Sequence, residues 1–509
     1  MATRVLNTDS LSIRAYAGCG KSTTLVWTET KVPKGITPSP QQEAIFDRLK
    51  MTPTQRRKVQ NRFCCFNVAI KNELQEKMPE AECVTNNGLG HRTLASFLRR
   101  RVFVNIKKYE AIVKDIVGDP WKNKELWKPY TALLTLVDKA RVTLTGTIED
   151  QHYECSVDEL QDMASMYSID IEDWTIADKV EDIINRGAAD ARNKGVIDFT
   201  DQVFLPEYFG AKPDKRFRTY VDEAQDLNAA QRNLLLNSAE QIIIVGDPNQ
   251  AIYLFTGASP DSMLIMESEL DADTLPLSIT RRCPKSHVAY AKRFLPKDNI
   301  FEAHADAIDG TILTVDINLD VYRDIVKNGT DNLFMSRTNA PLIQQCFACY
   351  RNNIPAQIRG RDMGKQIKGK LNKFVDKTSE EAIIELTAQI DAKINKYVAL
   401  NKTDMVEALH DELAVYLIFL TETDTVREAV KMIDDMFAEE QMKHAINLSS
   451  VHRAKGLEAH TTGILTPQLL PHPGISRISP QWQDSERCIA YVAYTRSYNT
   501  LLINTEKVK

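Results

Sequence analysis

The segment SIRAYAGCGKSTTLV, residues 12–26, predicts a short strand, a tight turn and the beginning of a helix. In that arrangement the backbone N–H groups of the turn and the helix N-terminus surround a phosphate chain. Lys21 is then placed to reach β- and γ-phosphates, and the Ser22 hydroxyl to hold Mg²⁺. The strict pattern has glycine where Ala15 stands. Taken alone, the segment therefore also fits an ordinary turn that leads into a helix N-cap.

Two later segments each predict a strand that ends in polar side chains. The segment RTYVDEAQD, residues 218–226, places Asp222 and Glu223 at the C-terminal end of a strand, where open α/β sheets have their ligand sites. Asp222 suits a Mg²⁺ shell, and Glu223 suits the polarisation of an attacking water. The segment QIIIVGDPNQAIY, residues 241–253, delivers the Gln250 amide to the same edge of a parallel sheet. The alternative for Asp222 and Glu223 is a solvated turn. A phosphate-binding turn in the same chain makes that alternative less probable.

Aromatic residues follow the second of these strands. Tyr253 and Phe255 precede a Thr-Gly turn. An aromatic side chain on a loop that leaves a nucleotide site can couple that site to a stacked base. Packing in the core, where Phe and Tyr more often lie, is the alternative.

In this order the segments resemble motifs I, II and III of the UvrD/Rep/PcrA family of superfamily 1 helicases. Residues 66–70 and 85–90 resemble motifs Ia and Ib, in the form used by the F-box helicase branch, with Asn87 where a His is usual. The other matching segments are LSITRRCP (277–284, motif IV), MSRTNA (335–340), NIP (353–355), VHRAKGLE (451–458, motif V) and AYVAYTR (490–496, motif VI).

The resemblance implies an ATP and Mg²⁺ site. It gives Arg282 and Arg496 the role of arginines that reach the γ-phosphate, and it places Arg281 where an aromatic usually stacks on adenine, a role a planar guanidinium can take. The implied catalytic residues are Lys21, Asp222, Glu223, Gln250, Arg282 and Arg496, with Ser22 and Asp222 on the metal. The implied nucleotide-binding residues are Ala17, Gly18, Cys19, Gly20, Lys21, Ser22, Thr23, Arg281 and Glu458.

The resemblance also implies a nucleic-acid site, with single-stranded DNA and single/double-strand junctions as partners. The DNA-binding residues that it implies are Phe66, Asn67, Thr85, Asn87, Tyr253, Phe255, Arg337 and His452.

The resemblance implies an α/β fold with two RecA-like core domains, each with a parallel sheet and a mainly helical inserted accessory domain, and the motif spacing gives the positions of the inserts. In residues 362–444, apolar residues recur at helical spacing and predict an amphipathic face: Ile383, Leu386, Ile390, Ile394 and Tyr397. This second insert is short for the family. The predicted boundaries are 1–94 with 195–275 for the first core, 95–194 for its insert, 276–361 with 445–509 for the second core, and 362–444 for its insert.

An adenine-reading glutamine usually stands well before the phosphate-binding turn in this family. Here only 20 residues precede Lys21, and a similar string, ITPSPQQEAI, occupies residues 36–45. Gln41 or Gln42 reads adenine if this string folds back over the base. The alternative is an ordinary loop that leads to a helix N-terminus.

Charge and composition narrow the class of protein. The net charge is -5 with a sequence pI ≈ 6.1, so nucleic acid would be held by local patches rather than by bulk charge. The candidate patches are Arg99–Arg101 with Lys107–Lys108, and Lys365, Lys368, Lys370 and Lys373, with a solvated helix face as the alternative for each.

Neither a secretion signal nor a run of 18 apolar residues occurs in the sequence, which predicts a cytoplasmic protein, nucleoid-associated or in a host cell if viral. The nine cysteines do not form a disulfide pattern. Cys346 and Cys349 are interpreted as buried thiols on a helix, because two ligands cannot fill a zinc shell.

Two functional hypotheses follow. The first is an ATP-dependent helicase that moves 3′→5′ on single-stranded DNA and unwinds duplex in replication, recombination or repair. The second is a DNA-stimulated ATPase that acts as a switch or loader for a replication or recombination partner and unwinds little by itself.

Overall fold

The β-rich segments of the sequence form two six-stranded sheets that are parallel throughout. The computed structural model describes residues 10–30, 32–49, 61–167, 169, 171, 173–359, 361–399, 403–437, 444–472 and 480–505. The predicted domain boundaries at 1 and 509, and parts of the ranges that contain 50–60, 438–443 and 473–479, lie outside these residues. The chain divides into two units, Met1–Tyr16 with Gly20–Ser278, and Ala17–Cys19 with Ile279–Lys509.

The first unit contains a sheet of strand order β10-β1-β9-β8-β2-β3. Its central strands are buried on both faces, which explains their continuous apolar runs such as residues 242–245. Two small pairs lie outside it, β4 with β7 and β5 with β6. The strands are β1 (Leu11–Ala15), β2 (Arg62–Cys65), β3 (Glu82–Thr85), β4 (Phe103–Val104), β5 (Thr147–Glu149), β6 (His152–Glu154), β7 (Val196–Ile197), β8 (Arg216–Val221), β9 (Ala239–Gly246) and β10 (Asp273–Leu277).

The helices of the first unit cover its sheet and build a helical region between residues 95 and 194. That region has a core of its own around Leu133, Val137 and Ile183, which also takes in Phe204 and Tyr208. The helices are α1 (Lys21–Glu29), α2 (Pro40–Arg48), α3 (Val68–Lys77), α4 (Asn86–Leu98), α5 (Lys108–Val117), α6 (Trp127–Thr143), α7 (Val157–Met166), α8 (Asp178–Lys194), α9 (Asp201–Tyr208), α10 (Ala229–Leu236) and α11 (Ser262–Leu270).

The second unit contains a sheet of strand order β13-β18-β17-β14-β16-β15 and a short parallel pair, β11 with β12. Every neighbouring pair in the larger sheet is parallel. The strands are β11 (Ile279–Thr280), β12 (Glu302–Ala303), β13 (Thr311–Val315), β14 (Asn332–Ser336), β15 (Ala356–Ile358), β16 (Ile446–Ser450), β17 (Ala459–Ile464) and β18 (Ser497–Asn504).

Helices occupy most of the described part of residues 361–437. The predicted face of Leu386, Ile390 and Ile394 is buried in the core of the second unit, which confirms that amphipathic helix. The helices of this unit are α12 (Lys285–Ala291), α13 (Leu319–Lys327), α14 (Ala340–Arg351), α15 (Arg361–Leu371), α16 (Ser379–Ala399), α17 (Thr403–Leu420), α18 (Val426–Met436), α19 (Val451–Ala454) and α20 (Pro480–Tyr494).

Cys346 and Cys349 lie buried on α14, as the sequence predicted. Burial raises the pKa of each thiol to about 12. Among the described residues, no group of three or more His, Cys, Asp or Glu side chains is placed to hold a metal ion. None of the described helices combines the length and apolar character that a membrane span requires.

Candidate functional site

The C-terminal ends of β1, β9 and β8 meet at one edge of the first sheet. These three strands are neighbours, with Arg14 of β1 opposite Gly246 of β9 and Val221 of β8 opposite Ile244 of β9. Because the strands are parallel, the segments that follow them leave from the same edge. The segments predicted from sequence as nucleotide-binding thus lie side by side.

The turn after β1 depends on glycine. Gly20 has φ 80° and is the N-cap of α1, with no side-chain cap on the first helical N–H groups. A residue with a Cβ is strained at this φ, and an uncapped helix N-terminus is a natural anion site. The helix begins at Lys21, and Thr23 on its first turn is exposed. Ala17, Gly18 and Cys19 complete the turn, and they group with the second unit.

Lys21 is held by Glu223. The Lys21 Nζ lies 3.0 Å from both Glu223 carboxylate oxygens. Burial by itself lowers the pKa of Lys21, but the charges of Glu223, Asp222 and Asp247 outweigh it, so the net pKa is raised and the ammonium stays charged. Glu223 itself has φ 52°, a left-handed conformation that costs a non-glycine residue free energy and is frequent at functional sites.

Asp222 is a deeply buried carboxylate, with only 4% of its surface exposed. Burial and then the neighbouring charge of Glu223 raise its pKa to about 6, against the opposing influence of Lys21 and a hydrogen bond from Ser22. A cation at this position would stabilise the ionised carboxylate. One carboxylate, one hydroxyl and the oxygens of a phosphate chain make up the usual protein Mg²⁺ site at nucleotides. Asp222 and Ser22 therefore fit the Mg²⁺ that the sequence predicts.

Gln225 links the ends of β8 and β9. Its Nε2 donates to Glu223, and its Oε1 accepts from the backbone N–H of Asp247 at 3.1 Å. Gly246 makes this close approach possible, because a Cβ there would clash with the Gln225 amide. Gln250 donates through Nε2 to Asp247 at 2.7 Å. A hydrogen-bonded chain thus joins Glu223 to Gln250.

The two candidate adenine-reading glutamines occupy different positions. The string does fold back onto α1, since Gln42 Nε2 donates to Thr24 Oγ1 at 3.0 Å. It also forms the alternative structure, because Ser39 caps α2 in a capping box with Gln42. Gln42 is buried and uses both ends of its amide in these bonds. Gln41 is partly exposed, and its amide is paired with Ser278.

The predicted aromatic residues form one cluster at the surface of the first unit. The rings of Phe66 and Tyr253 stack with centroids 5.5 Å apart, and Phe255 meets Tyr253 edge-on at 6.0 Å. Phe255 is 48% exposed, so the core-packing alternative is wrong for it, while Tyr253 is partly buried. The local sequence does not distinguish the two, because exposure depends on neighbours far along the chain.

The polar residues of the predicted DNA-binding segments cap helices. Asn67 caps α3 by accepting from Ile70 N, and Thr85 caps α4 by accepting from Gly88 N. Asn87 donates through Nδ2 to the backbone carbonyl of Phe199 at 3.0 Å. Phe199 is 59% exposed and was missed by the sequence analysis. An aromatic residue two positions after the short β7 was the available signal.

In the second unit, Arg282 forms an ion pair with Glu458. The two residues come from separate predicted motifs, IV and V. Arg496 donates from Nε to the Val492 carbonyl at 2.9 Å, and Arg281 is exposed.

The other two predicted DNA-binding residues also lie in the second unit. Arg337 donates hydrogen bonds to both carboxylate oxygens of Glu486, with 2.6 Å between Nη2 and Oε1. Burial and the charges of Arg337 and Lys455 lower the pKa of His452 to about 3, so its ring is neutral. Such a ring contributes hydrogen bonds rather than charge.

The two predicted basic clusters differ in exposure and pairing. Lys108 was wrongly grouped with the surface arginines, because it is buried and paired with Asp201. Lys368 and Lys370 form ion pairs with Asp434 and Glu412. For Lys368 and Lys370, the solvated, ion-paired face is the better interpretation.

Comparisons with known proteins support the motif assignment. Residues 69–271 match the family described as UvrD/REP helicase N-terminal domain. An 85-residue stretch is 32% identical to Gabija protein GajB of Bacillus cereus (strain VD045), covering 16% of this chain and 17% of that protein. A 99-residue stretch is 32% identical to ATP-dependent DNA helicase Rep of Escherichia coli (strain K12), covering 17% of this chain and 15% of that protein. The aligned stretches thus span less than a fifth of either relative, and the family match lies over the first of the two units. Together with the order of the motifs, these similarities support a UvrD/Rep-like superfamily 1 helicase, with the family match over residues 69–271.

Proposed function

We propose that the chain is an ATP-dependent DNA helicase that moves 3′→5′ on single-stranded DNA and separates duplex in replication, recombination or repair. The proposal rests on the residues that lie together at one edge of the first sheet. There Lys21 and Ser22 lie against Asp222 and Glu223, with Gln250 joined to them through hydrogen bonds. The family match and the likeness to ATP-dependent DNA helicase Rep support the same activity.

In the proposed mechanism the site has two states, one in which Lys21 is paired with Glu223 and one in which Lys21 is paired with phosphate oxygens. In the structure described here, each residue neutralises the other. In the proposed mechanism, Lys21 exchanges Glu223 for phosphate oxygens, and Glu223 is freed to accept a proton from the attacking water. Bound Mg²⁺ supplies neutralisation of the phosphate charge, and Asp222 with Ser22 would hold it. Gln225 keeps Glu223 in position during the exchange because its amide donates to that carboxylate.

Residues of the second unit complete the proposal. We assign Arg282 and Arg496 to the γ-phosphate, where an arginine contributes about 10³ to 10⁵ in rate. Arg281 and Glu458 are assigned to the nucleotide. The order of motifs IV, V and VI supports these assignments. The proposed architecture is two RecA-like cores with accessory inserts at 95–194 and 362–444, and the parallel order of each sheet is consistent with it.

The DNA-binding part of the proposal rests on the aromatic cluster. Phe66, Tyr253 and Phe255 offer stacked and exposed rings to bases. Phe199, whose backbone carbonyl accepts from Asn87, adds a fourth exposed aromatic residue. Base stacking on such rings is tolerant of sequence and is worth about 1–3 kcal/mol per base. Because Gln250 and Tyr253 belong to the same segment, a change at Gln250 during ATP hydrolysis would be passed to Tyr253 and would alter DNA binding. Arg337 and His452 are assigned to the same strand from motif order.

Strand-displacement assays test the function. The substrates are one duplex with a 3′ tail and one with a 5′ tail, with ATP and Mg²⁺, and Lys21→Ala is the inactive control. Displacement of the 3′-tailed substrate alone is the expected result. Displacement of the 5′-tailed substrate alone would overturn the polarity.

The same assay decides the second candidate function, a DNA-stimulated ATPase that serves as a switch or loader for a partner. The shortness of the second insert, residues 362–444, favours it. DNA-stimulated hydrolysis without displacement from either tail would support this candidate and reject autonomous unwinding.

Nucleotide choice tests the two glutamines separately. We propose Gln41 as the adenine-reading residue, because it is partly exposed whereas Gln42 is buried. Gln41 would exchange its two hydrogen bonds with Ser278 for bonds to the base. The Gln41→Ala protein is expected to lose its preference for ATP over GTP. The Gln42→Ala protein is expected to keep that preference and to lose stability instead. An unchanged ATP to GTP ratio in the Gln41→Ala protein would reject the assignment.

A further inference from the structure

A surface segment in the first unit combines positive charge with exposed apolar side chains. We call residues 97–107 with Phe199 the basic–aromatic strip. Phe103 is 52% exposed and Ile106 is 68% exposed, although large apolar residues seldom face water in groups without a binding role. The sequence from residue 91 to residue 109 contains no Asp or Glu. The segment is therefore apolar and locally positive at the same time.

The strip is held by regular structure. Within it, β4 pairs in parallel with β7, with Phe103 opposite Val196 and Val104 opposite Ile197. Backbone bonds from Phe103 N to Gly195 O at 2.8 Å and from Asn105 N to Ile197 O at 2.7 Å extend the pairing at both ends. The exposed rings and cations thus stand on a fixed backbone, which reduces the entropy cost of binding a ligand.

The cations of the strip are available to a ligand. Among the ion pairs of the described residues, none involves Arg99, Arg101 or Lys107. Arg101 instead lies over the Phe103 ring, with 5.1 Å from the guanidinium carbon to the ring centroid. This contrasts with Lys368 and Lys370, whose charges are neutralised by carboxylates. Arg99, Arg101 and Lys107 thus keep their positive charge outside the described ion pairs, whereas Lys368 and Lys370 of the other predicted basic cluster do not.

The strip is continuous with a predicted DNA-binding residue. Phe199 follows β7 by two residues, and its carbonyl accepts from Asn87 Nδ2. At the other end, Arg99 is the C-cap of α4, the helix that begins at Asn86. A 13-residue helix is about 20 Å long. The strip thus extends from the predicted motif Ib contact over the length of several nucleotides.

We propose that the basic–aromatic strip is an additional binding surface for single-stranded nucleic acid, which extends the proposed DNA path from Asn87 over the insert. Single-strand sites combine backbone-tracking cations with aromatic faces on which bases stack, and both are present here. The proposal rests on the proposed function, since it needs a strand bound at Asn87. Arg99, Arg101 and Lys107 contact phosphates, and Phe103 and Phe199 stack on bases.

Salt-dependent binding of a single-stranded oligonucleotide to the full-length protein tests the strip. The test variant is Arg99→Ala/Arg101→Ala/Lys107→Ala, and the matched control is Lys368→Ala/Lys370→Ala. Each phosphate contact on a single strand contributes about 0.7 to the slope of log affinity against log salt. The slope of the test variant is thus expected to fall in magnitude by about 2. The slope of the control variant is expected to equal that of the wild type.

A second pair of variants isolates the stacking. Phe103→Ala is expected to weaken single-strand binding by about 5- to 150-fold, the range for one lost stacked base. Phe103→Leu keeps apolar area but has no aromatic face, so it is expected to bind nearly as weakly. Binding of both variants at wild-type strength would reject base stacking on Phe103.

The outcomes separate the strip from the proposed function. A wild type with DNA-stimulated ATP hydrolysis, together with an unchanged salt slope in the triple variant, overturns the strip alone. A triple variant that weakens binding only to a blunt duplex also overturns it, because the strip would then serve duplex. A wild type that binds no single-stranded oligonucleotide overturns the proposed function together with the strip.

Discussion

Replacement of Asp222 by Asn measures the electrostatic cost of the candidate active site. Burial and the charge of Glu223 raise the pKa of Asp222 from the ordinary 3.8 to about 6. The folded protein therefore binds a proton at this carboxyl in a pH range where the unfolded chain has already released it. Stability is lost as pH rises through that window, from about 4 to about 6, and the full cost persists at higher pH.

The size of the effect follows from the pKa. A difference of about two pKa units, at about 1.4 kcal/mol each, amounts to about 3 kcal/mol. Because the amide that replaces the carboxylate carries no charge, the free energy of unfolding of the Asp222→Asn protein is expected to exceed that of the wild type by this amount at pH 7.5. For a unit of this size, that corresponds to an increase of about 5 °C in melting temperature. The difference is expected to vanish near pH 4, where the wild-type carboxyl is protonated.

Thermal unfolding at several pH values, without nucleotide, is the assay. Asp261→Asn is the matched control, because Asp261 is an exposed carboxylate at the N-cap of α11 with no side-chain capping bond, and its substitution is expected to change stability by less than about 0.5 kcal/mol. Added Mg²⁺ with nucleotide is expected to stabilise the wild type more than the Asp222→Asn protein. Melting curves for wild type and Asp222→Asn that coincide from pH 4 to 8 would refute the electrostatic account.

Three further substitutions test packing, DNA binding and a buried ion pair. Gly246→Ala is expected to lower the free energy of unfolding by about 1–3 kcal/mol through overpacking against Gln225. Gly369→Ala is the control, because a Cβ there meets nothing within 4 Å, and it is expected to raise stability slightly in thermal unfolding. Equal effects of the two substitutions would contradict the clash at Gly246. Phe255→Ala is expected to weaken single-strand binding by about 5- to 150-fold, and an unchanged dissociation constant would remove it from the DNA path. Lys108→Met removes one of two cations from the buried Asp201 carboxylate, with Arg141 remaining at 3.0 Å, and is expected to cost about 1.5–3 kcal/mol in urea unfolding. A change below about 0.5 kcal/mol would show that the Lys108–Asp201 pair contributes little.

The strand endings of the first unit were predictable from sequence. An apolar run followed by Asp222 and Glu223, and another followed by Asp247, predict parallel strands whose C-terminal ends share an edge. The helix face of Leu386, Ile390 and Ile394 was likewise predictable, because a periodicity of about 3.6 residues is a local property. The structure confirms both.

The environment of single polar residues was not predictable in the same way. Lys108 and Lys107 are neighbours in the chain, yet one is buried against Asp201 and the other is exposed. Lys368 is neutralised by Asp434, which lies 66 residues away along the chain. Such ion pairs depend on which helices pack together, and this packing cannot be deduced from the local sequence around each lysine.

By itself the sequence determined the parallel α/β fold, the glycine-containing turn before α1 and the order of the segments that resemble helicase motifs, because these depend on short-range periodicity, glycine and the positions at which strands end. The tertiary structure alone decided that Lys21 is held by Glu223, that the pKa of Asp222 is raised, and that the positive charge of residues 99–107 is available. Each of these depends on burial and on charges brought close from distant parts of the chain. Electrostatic energies vary with distance and solvent exposure, and the fold sets both.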